Sequence, residues 1–362
     1  MKTNLFKNAF IACLSIALFA VVISGCSKTD TPATKADQTK LTALVDSCTS
    51  LLASSTVATD YPAAAITAFQ TVLTNTKTAA LSTTITQSAV DNLAVNLRAA
   101  KTTFLAAAYG AIPTTALLMG MTFDETVASN QFTTEGKGWT AKLTAGASQV
   151  FGTNTGMPTF VTGKVGKAIH FGLGSHLEVS DYNAGSLQGS QLSVSVWVKP
   201  DSTRAGNYIM SYNYWNSWKF NLQEANKPFF TVTTAAGGTD ADNEGGGIAA
   251  NGTWTQLVVS MNLTTGTLTF YINGMSTMVW ATGTDKVKPN LSGVIKAYGT
   301  VLPLMIGACT TYAEVIAKWD WVTPPIKPQG WDYFIGSMDE LKVYNVALTD
   351  GQVAKLYKDE NK

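Results

Sequence analysis

The chain has 362 residues, 46% of them hydrophobic and only 14% charged, with 25 basic and 24 acidic side chains for a formal charge of +1. So even a balance excludes the basic footprint that nucleic-acid binding requires, while the apolar share is ample for packed cores. The four cysteines show no CxxC or Cys/His spacing, which argues against a zinc site.

Lys2 and Lys7 precede an apolar run, Ala9 to Ile23, that is short for a membrane span. The run ends "VISGC", and Ser24-Gly25 before Cys26 resembles a bacterial lipobox. The resemblance implies cleavage of residues 1–25 and lipidation of Cys26, hence an anchored but non-spanning protein. The alternative is an ordinary secretory signal cut elsewhere. Without Lys2 and Lys7 the balance becomes 23 basic to 24 acidic, or −1. The expected location is the cell envelope, at the outer membrane or surface of a Gram-negative bacterium. Cys48 and Cys309 then remain, expected as two separate buried thiols, since spacing alone does not predict a disulfide.

Residues 26–36 carry no apolar period and read as a tether. From residue 37 to 110 the period is helical. Leu41, Leu44, Val45, Cys48, Leu51 and Leu52 fall on one face, with Asp37 as a cap. A second helix is expected after Asp60, with Pro62 in its first turn. A third runs from about Gln87 to Tyr109 after Thr86 as cap, giving a three-helix bundle. The stretch "TQSAVDNLAVNLRAA" resembles the FIVAR modules of bacterial surface proteins, which implies a spacer, with sugar binding as the alternative.

From residue 111 to 362 the period becomes two. "QLSVSVWVK" sets Leu192, Val194, Val196 and Val198 against Ser193, Ser195, Trp197 and Lys199. "TLTFYIN" leads into Asn273-Gly274, a hairpin turn signal. Near the end, Thr349-x-x-Gln352 reads as a capping box opening a short helix. Such punctuated strands predict one antiparallel β-sandwich.

Four stretches in order resemble the laminin-G-like jelly rolls of the concanavalin A-like lectin/glucanase fold. They are "GKVGKAIHFGLGSHLEVSD", "LSVSVWVKPDS", "WTQLVVSMNLTTGTLTFYINGM" and "FIGSMDELKVYNVALTDGQVAKLY". The resemblance implies a mainly β fold of two curved antiparallel sheets, one often presenting a ligand groove.

Two aromatic clusters, "YNYWNSWKF" and "AKWDWVTPPIKPQGWDYF", offer ring faces on which sugars stack. Trp215, Trp218, Trp319, Trp321, Trp331 and Tyr333 are the candidate carbohydrate-binding residues, with core packing as the alternative. The resemblance also implies a structural calcium held by Asp339 and, from "FDE", Asp124. The alternative is a carboxylate that pairs with Lys342 or caps a loop. Neighbours on a strand face opposite ways, so Asp339 and Glu340 work side by side only across a bulge. Asp240, Asp242 and Glu244 alternate as glucanase carboxylates do, but flanking glycines read as a loop. His170 and His176 lack any nucleophile-elbow context.

The leading expectation is a surface-anchored, non-enzymatic lipoprotein that binds a glycan. The alternative is an adhesion or structural protein binding another protein, and a glycoside hydrolase is third. Exposed aromatics favour the first, and burial of Trp215, Trp319, Trp321 and Trp331 favours the second.

Overall fold

The computed structural model describes residues 35–297, 302–318 and 331–361. The expected lipidation site Cys26 and the expected sugar-stacking residues Trp319 and Trp321 lie outside these residues. Among the described residues no helix is long and apolar enough to cross a membrane.

Helices α1 (Thr39–Leu52), α2 (Val57–Asp60), α3 (Ala63–Ala80) and α4 (Gln87–Ala106) form the N-terminal region. There are four helices where three are expected. The addition is α2, a single turn ending at Asp60, while Pro62 takes the N-cap position of α3. Thr86 caps α4 by accepting from the Ala89 amide, and Asp37 accepts from Thr39 at the start of α1. Cys48, Phe69, Leu73, Leu97 and Phe104 form the core between them.

The β region begins with β1 (Leu117–Met121), β2 (Gln131–Thr133), β3 (Glu135–Gly136) and β4 (Thr140–Thr144). After α5 (Ser148–Phe151) come β5 (Thr159–Thr162), β6 (Lys167–Phe171), β7 (His176–Val179) and β8 (Gln191–Pro200). Then follow β9 (Asn207–Tyr212), β10 (Trp218–Gln223), β11 (Lys227–Thr234) and β12 (Gly237–Asp242). Next are β13 (Thr255–Asn262), β14 (Thr267–Ile272) and β15 (Met275–Ala281). β16 (Leu304–Ile306), α6 (Tyr312–Lys318), β17 (Gly336–Tyr344) and α7 (Asp350–Glu360) complete the chain.

The strands form two antiparallel sheets packed as a sandwich. A nine-stranded sheet runs β15-β14-β13-β8-β17-β1-β3, with β6 also pairing β17 and β5 pairing β6. An eight-stranded sheet runs β12-β11-β10-β9-β16-β7-β4-β2. The inward face of β8, Leu192 to Val198 at every second residue, meets Phe220, Phe230 and Trp218 of the facing sheet in one large core. Each fully buried aliphatic or Phe side chain there contributes about 1.5–3 kcal/mol.

The other face of the nine-stranded sheet is also covered. The capping box at Thr349 and Gln352 opens α7, which packs Val353 with Val258, Tyr271 and Tyr344. Trp197 stacks on Tyr357 and donates from Nε1 to Glu360 at 2.8 Å. On its far side α7 reaches the helical region: Gln352 donates to the Ala111 carbonyl, and Lys358 sits over the Tyr109 ring.

The strand β17 carries a bulge where its register with β8 shifts between Asp339 and Lys342, and Glu340 adopts φ 48°. Met338 and Leu341 both face the core, so the extra residue turns Asp339 and Glu340 to the same outer face. The bulge that a side-by-side pair would need is therefore present.

Candidate functional site

On the eight-stranded sheet, alternation gives β10 two faces. Trp218, Phe220 and Leu222 enter the core. Lys219, Asn221 and Gln223 point away from it and line a cavity of about 310 Å³, together with Tyr208, Glu224 and Asp332. The register extends this surface across the sheet, with Lys219 opposite Thr231 and Thr231 opposite Asp240. In the next row Asn221 is opposite Phe229, and Phe229 opposite Asp242.

Lys219 is the buried cation of the cavity lining. Its Nζ donates to Asn221 Oδ1 at 2.8 Å and lies 5.1 and 4.7 Å from the ring centroids of Tyr208 and Phe229. Only 9% of the residue is exposed, and this burial lowers its pKa to about 8 against the raising effect of Asp240 and Asp332. Across the cavity burial raises the Asp332 carboxyl to about 6, while Arg204 and Lys219 pull the other way. The carboxyl packs against Gly206, whose φ is +71° and whose missing Cβ would fall 2.2 Å from Asp332 Oδ1. A glycine is needed here both for the backbone and for the close approach.

A larger, more open cleft of about 820 Å³ lies between the start of α1 and the end of α3. No aromatic side chain lines it among the described residues.

The expected sugar-stacking residues are dispersed. Trp215 is 39% exposed, on a turn beside β10, with its ring 4.7 Å from that of Tyr214. Trp218 is 0% exposed and stacked on Phe230 in the core. Trp331 is 1% exposed, donates to the Thr310 carbonyl and packs with Tyr208, Cys309 and Val315. Tyr333 is 5% exposed, with the Arg204 guanidinium 4.1 Å from its ring centroid. The ring faces of Trp218, Trp331 and Tyr333 are thus covered by the protein itself, which corrects their expected stacking role. Of the discriminating aromatics that are described, Trp215 is exposed and Trp331 buried. Of the residues that sequence reasoning missed, Lys219 and Asp332 sit inside the quoted clusters, and Asn221 and Gln223 follow directly after the first. The alternation of "WKFNLQ" was the signal for three of them.

The two carboxylates expected to hold calcium both meet the turn between β5 and β6. Asp339 Oδ2 accepts from the Lys164 and Val165 amides at 2.8 and 2.9 Å, and its Oδ1 from Glu340. Asp124 Oδ1 accepts from the Lys167 amide at 2.9 Å. Calcium needs six to eight oxygen ligands. Here amide donors engage both oxygens of Asp339 and one of Asp124, and among the described residues no three His, Cys, Asp or Glu side chains gather into a cage. The residues do not fit a calcium ion. Glu340 instead pairs with Lys342, which also meets Glu360 Oε1 at 2.6 Å. Burial disfavours the Lys342 ammonium, but Glu360 and Glu340 outweigh that and raise its pKa. Asp339-Glu340 is frame, holding a turn and the last helix.

Asp240 and Asp242 lie on β12, fully paired with β11, not in a loop. Ladder pairing outweighs the flanking glycines. Asp240 accepts from the Thr231 hydroxyl, Asp242 pairs with Lys227, and Glu244 with Lys286. His170 lies between Ser337 Oγ at 3.2 Å and Asp201 at 3.6 Å. Ser337 sits within the ladder between β6 and β8, not on a turn whose amides could stabilise an oxyanion. His176 bridges the Gly174 carbonyl and Glu178. Cys48 and Cys309 are free, buried thiols.

Residues 171–294 match the family model described as the concanavalin A-like lectin/glucanases superfamily. No curated protein matches this chain. Among solved structures, domain 4 of AbnA, a GH43 extracellular arabinanase from Geobacillus stearothermophilus in complex with arabinotriose, is 20% identical with a TM-score of 0.45. The match covers 67% of this chain and 98% of that one. The binding domain of Paraclostridial Mosquitocidal Protein 1 is 16% identical with a TM-score of 0.46, over 68% and 52%. The ligand-binding domain of botulinum neurotoxin serotype D, in complex with N-acetylneuraminic acid, is 13% identical with a TM-score of 0.40, over 68% and 51%. This chain thus spans about half the length of the two toxin domains. At these scores the likenesses give no ground for transferring a ligand. Over residues 171–294 the sandwich is thus similar to the concanavalin A-like lectin/glucanases superfamily.

Proposed function

We propose that this domain binds carbohydrate at the Lys219–Asp332 cavity and does no chemistry on it. The observation that carries the reading is the convergence of the Lys219 ammonium, the Asn221 amide, the Asp332 carboxylate and the Tyr208 ring around a cavity of about 310 Å³. Sugar hydroxyls both donate and accept, and their ring C–H faces suit aromatic surroundings. The engagement of Asp240 with Thr231, of Asp242 with Lys227 and of Glu244 with Lys286 supports the non-hydrolytic reading. The N-terminal features support lipidation at Cys26 and display on the outer membrane or cell surface. The helical region, resembling FIVAR modules, would act as the spacer.

The test is affinity electrophoresis of the full-length protein through gels containing a panel of polysaccharides, beside Asn221→Ala and Asp332→Ala. Retardation by a glycan that both variants lose supports the reading. Retardation that both variants keep moves the site elsewhere. No retardation across the panel favours a protein partner on the cell surface instead.

A further inference from the structure

The cavity is lined by charge of both signs. Lys219 is the one cation among the lining residues, Asp332 and Glu224 are two carboxylates, and Arg204 acts on Asp332 from outside the lining. The adjoining rows add Lys227 and Lys288 against Asp240 and Asp242, and here the charges are mutually engaged. Asp242 lies 2.9 Å from Lys227 and 3.9 Å from Lys288, and Asp240 takes the Thr231 hydroxyl. The site therefore presents no excess cation to an incoming anion.

The engagement inside the cavity differs. Among the described residues Lys219 Nζ has one hydrogen-bond partner, Asn221 Oδ1, and it rests over two rings. An ammonium has three donors, so others remain for a ligand. The Asp332 carboxyl is pressed on Gly206 at the cavity wall, desolvated, with Arg204 and Lys219 as its nearest opposing charges. A buried carboxylate without full hydration favours a ligand that brings hydroxyl donors, and disfavours one that brings a second carboxylate. A hydroxyl pair accepting from Lys219 and donating to Asp332 meets both needs at once.

We infer that the cavity selects neutral sugars and discriminates against uronic and other carboxylated sugars. This rests on the carbohydrate reading above. Asp332 is then the specificity-determining residue: it accepts from hydroxyls and repels acids. Lys219 alone would have favoured the opposite class.

The experiment uses full-length protein and three matched pairs of polymers that differ at C6: mannan and polymannuronate, glucan and polyglucuronate, galactan and polygalacturonate. Binding is read by affinity electrophoresis at pH 7. The expected result is retention by at least one neutral member with its uronate partner retained at least about tenfold more weakly, a difference of about 1.4 kcal/mol. In Asp332→Asn, which keeps the shape and removes the charge, the gap narrows and the uronate gains. Equal retention of both members, or preference for a uronate lost in Lys219→Met, overturns the neutral-class inference and leaves carbohydrate binding standing. Retention of no polymer in any pair counts against both. Circular dichroism and thermal melting of Asp332→Asn and Lys219→Met separate lost binding from lost folding.

Discussion

Lys219 Nζ and Asn221 Oδ1 are 2.8 Å apart, two positions along one face of β10. Between them Phe220 points into the core. The same alternation that builds the sandwich therefore exports a polar pair to the opposite face. There the pair borders a cavity that Asp332 also lines.

Binding at this cavity should depend on pH. Below about pH 6 Asp332 takes up a proton and ceases to be an anionic acceptor. Above about pH 8 Lys219 loses its charge and a donor. Affinity measured by calorimetry should peak between the two and fall on both sides. In Asp332→Asn the acid limb should vanish while the alkaline limb remains. A flat profile in the wild type from pH 5 to 9 would remove both groups from the site.

Glu360 ties the last helix to the sheet. Its Oε2 accepts from Trp197 Nε1 and Gln256 Nε2, and its Oε1 from Lys342. Glu360→Ala leaves the Trp197 and Gln256 donors buried and unmatched while Lys342 keeps Glu340, at a cost of about 1–3 kcal/mol for each orphaned donor. The urea midpoint should fall accordingly, with Glu360→Gln intermediate. A midpoint shift under about 0.5 kcal/mol, the size expected at an unimportant surface site, would show that the helix is not held through this residue.

Much of this was legible in the chain. The Ser193/Val194 alternation, the Asn273-Gly274 hairpin, now with φ 51° and 77°, and the Thr349–Gln352 capping box are local signals. Each is set by sequence periods or by one side chain acting on nearby backbone. The failures have tertiary causes. Trp218 resembles an exposed ring until β10 is registered against β9 and β11, which turns it inward. The glycine-flanked "TDAD" reads as a loop because its partner β11 supplies the order. The bulge at Glu340 is invisible in a six-residue alternating run. Asp332 joins Lys219 only because distant segments meet.

Asp339 should give stability a distinctive pH dependence. Burial raises its carboxyl to about 7, against amide hydrogen bonds from Val165, Glu340 and Lys164 that lower it. Between its ordinary 3.8 and about 7 the folded protein holds a proton that the unfolded chain has released. The contribution of this group to stability therefore falls as pH rises through that window. Comparing melting at pH 5 and pH 7, Asp339→Asn should be less stable at pH 5 yet show a smaller loss on going to pH 7. An unchanged difference between the two pH values would contradict the raised carboxyl.

Calcium should leave the fold indifferent. Asp339 Oδ2 serves the amides of Lys164 and Val165, and Asp124 Oδ1 that of Lys167. Melting in EDTA and in millimolar calcium should therefore coincide. A higher melting temperature with calcium, abolished in Asp124→Asn, would reinstate the metal, because a ligand that binds only the folded state must stabilise it.

The most direct test of carbohydrate binding at the sheet face is a crystal structure of the protein with an oligosaccharide from the glycan it retains. The account predicts density in the cavity, with sugar hydroxyls within hydrogen-bond distance of Lys219 and Asp332 and no bond cleaved. Density confined to another surface, with the cavity unfilled, would contradict it.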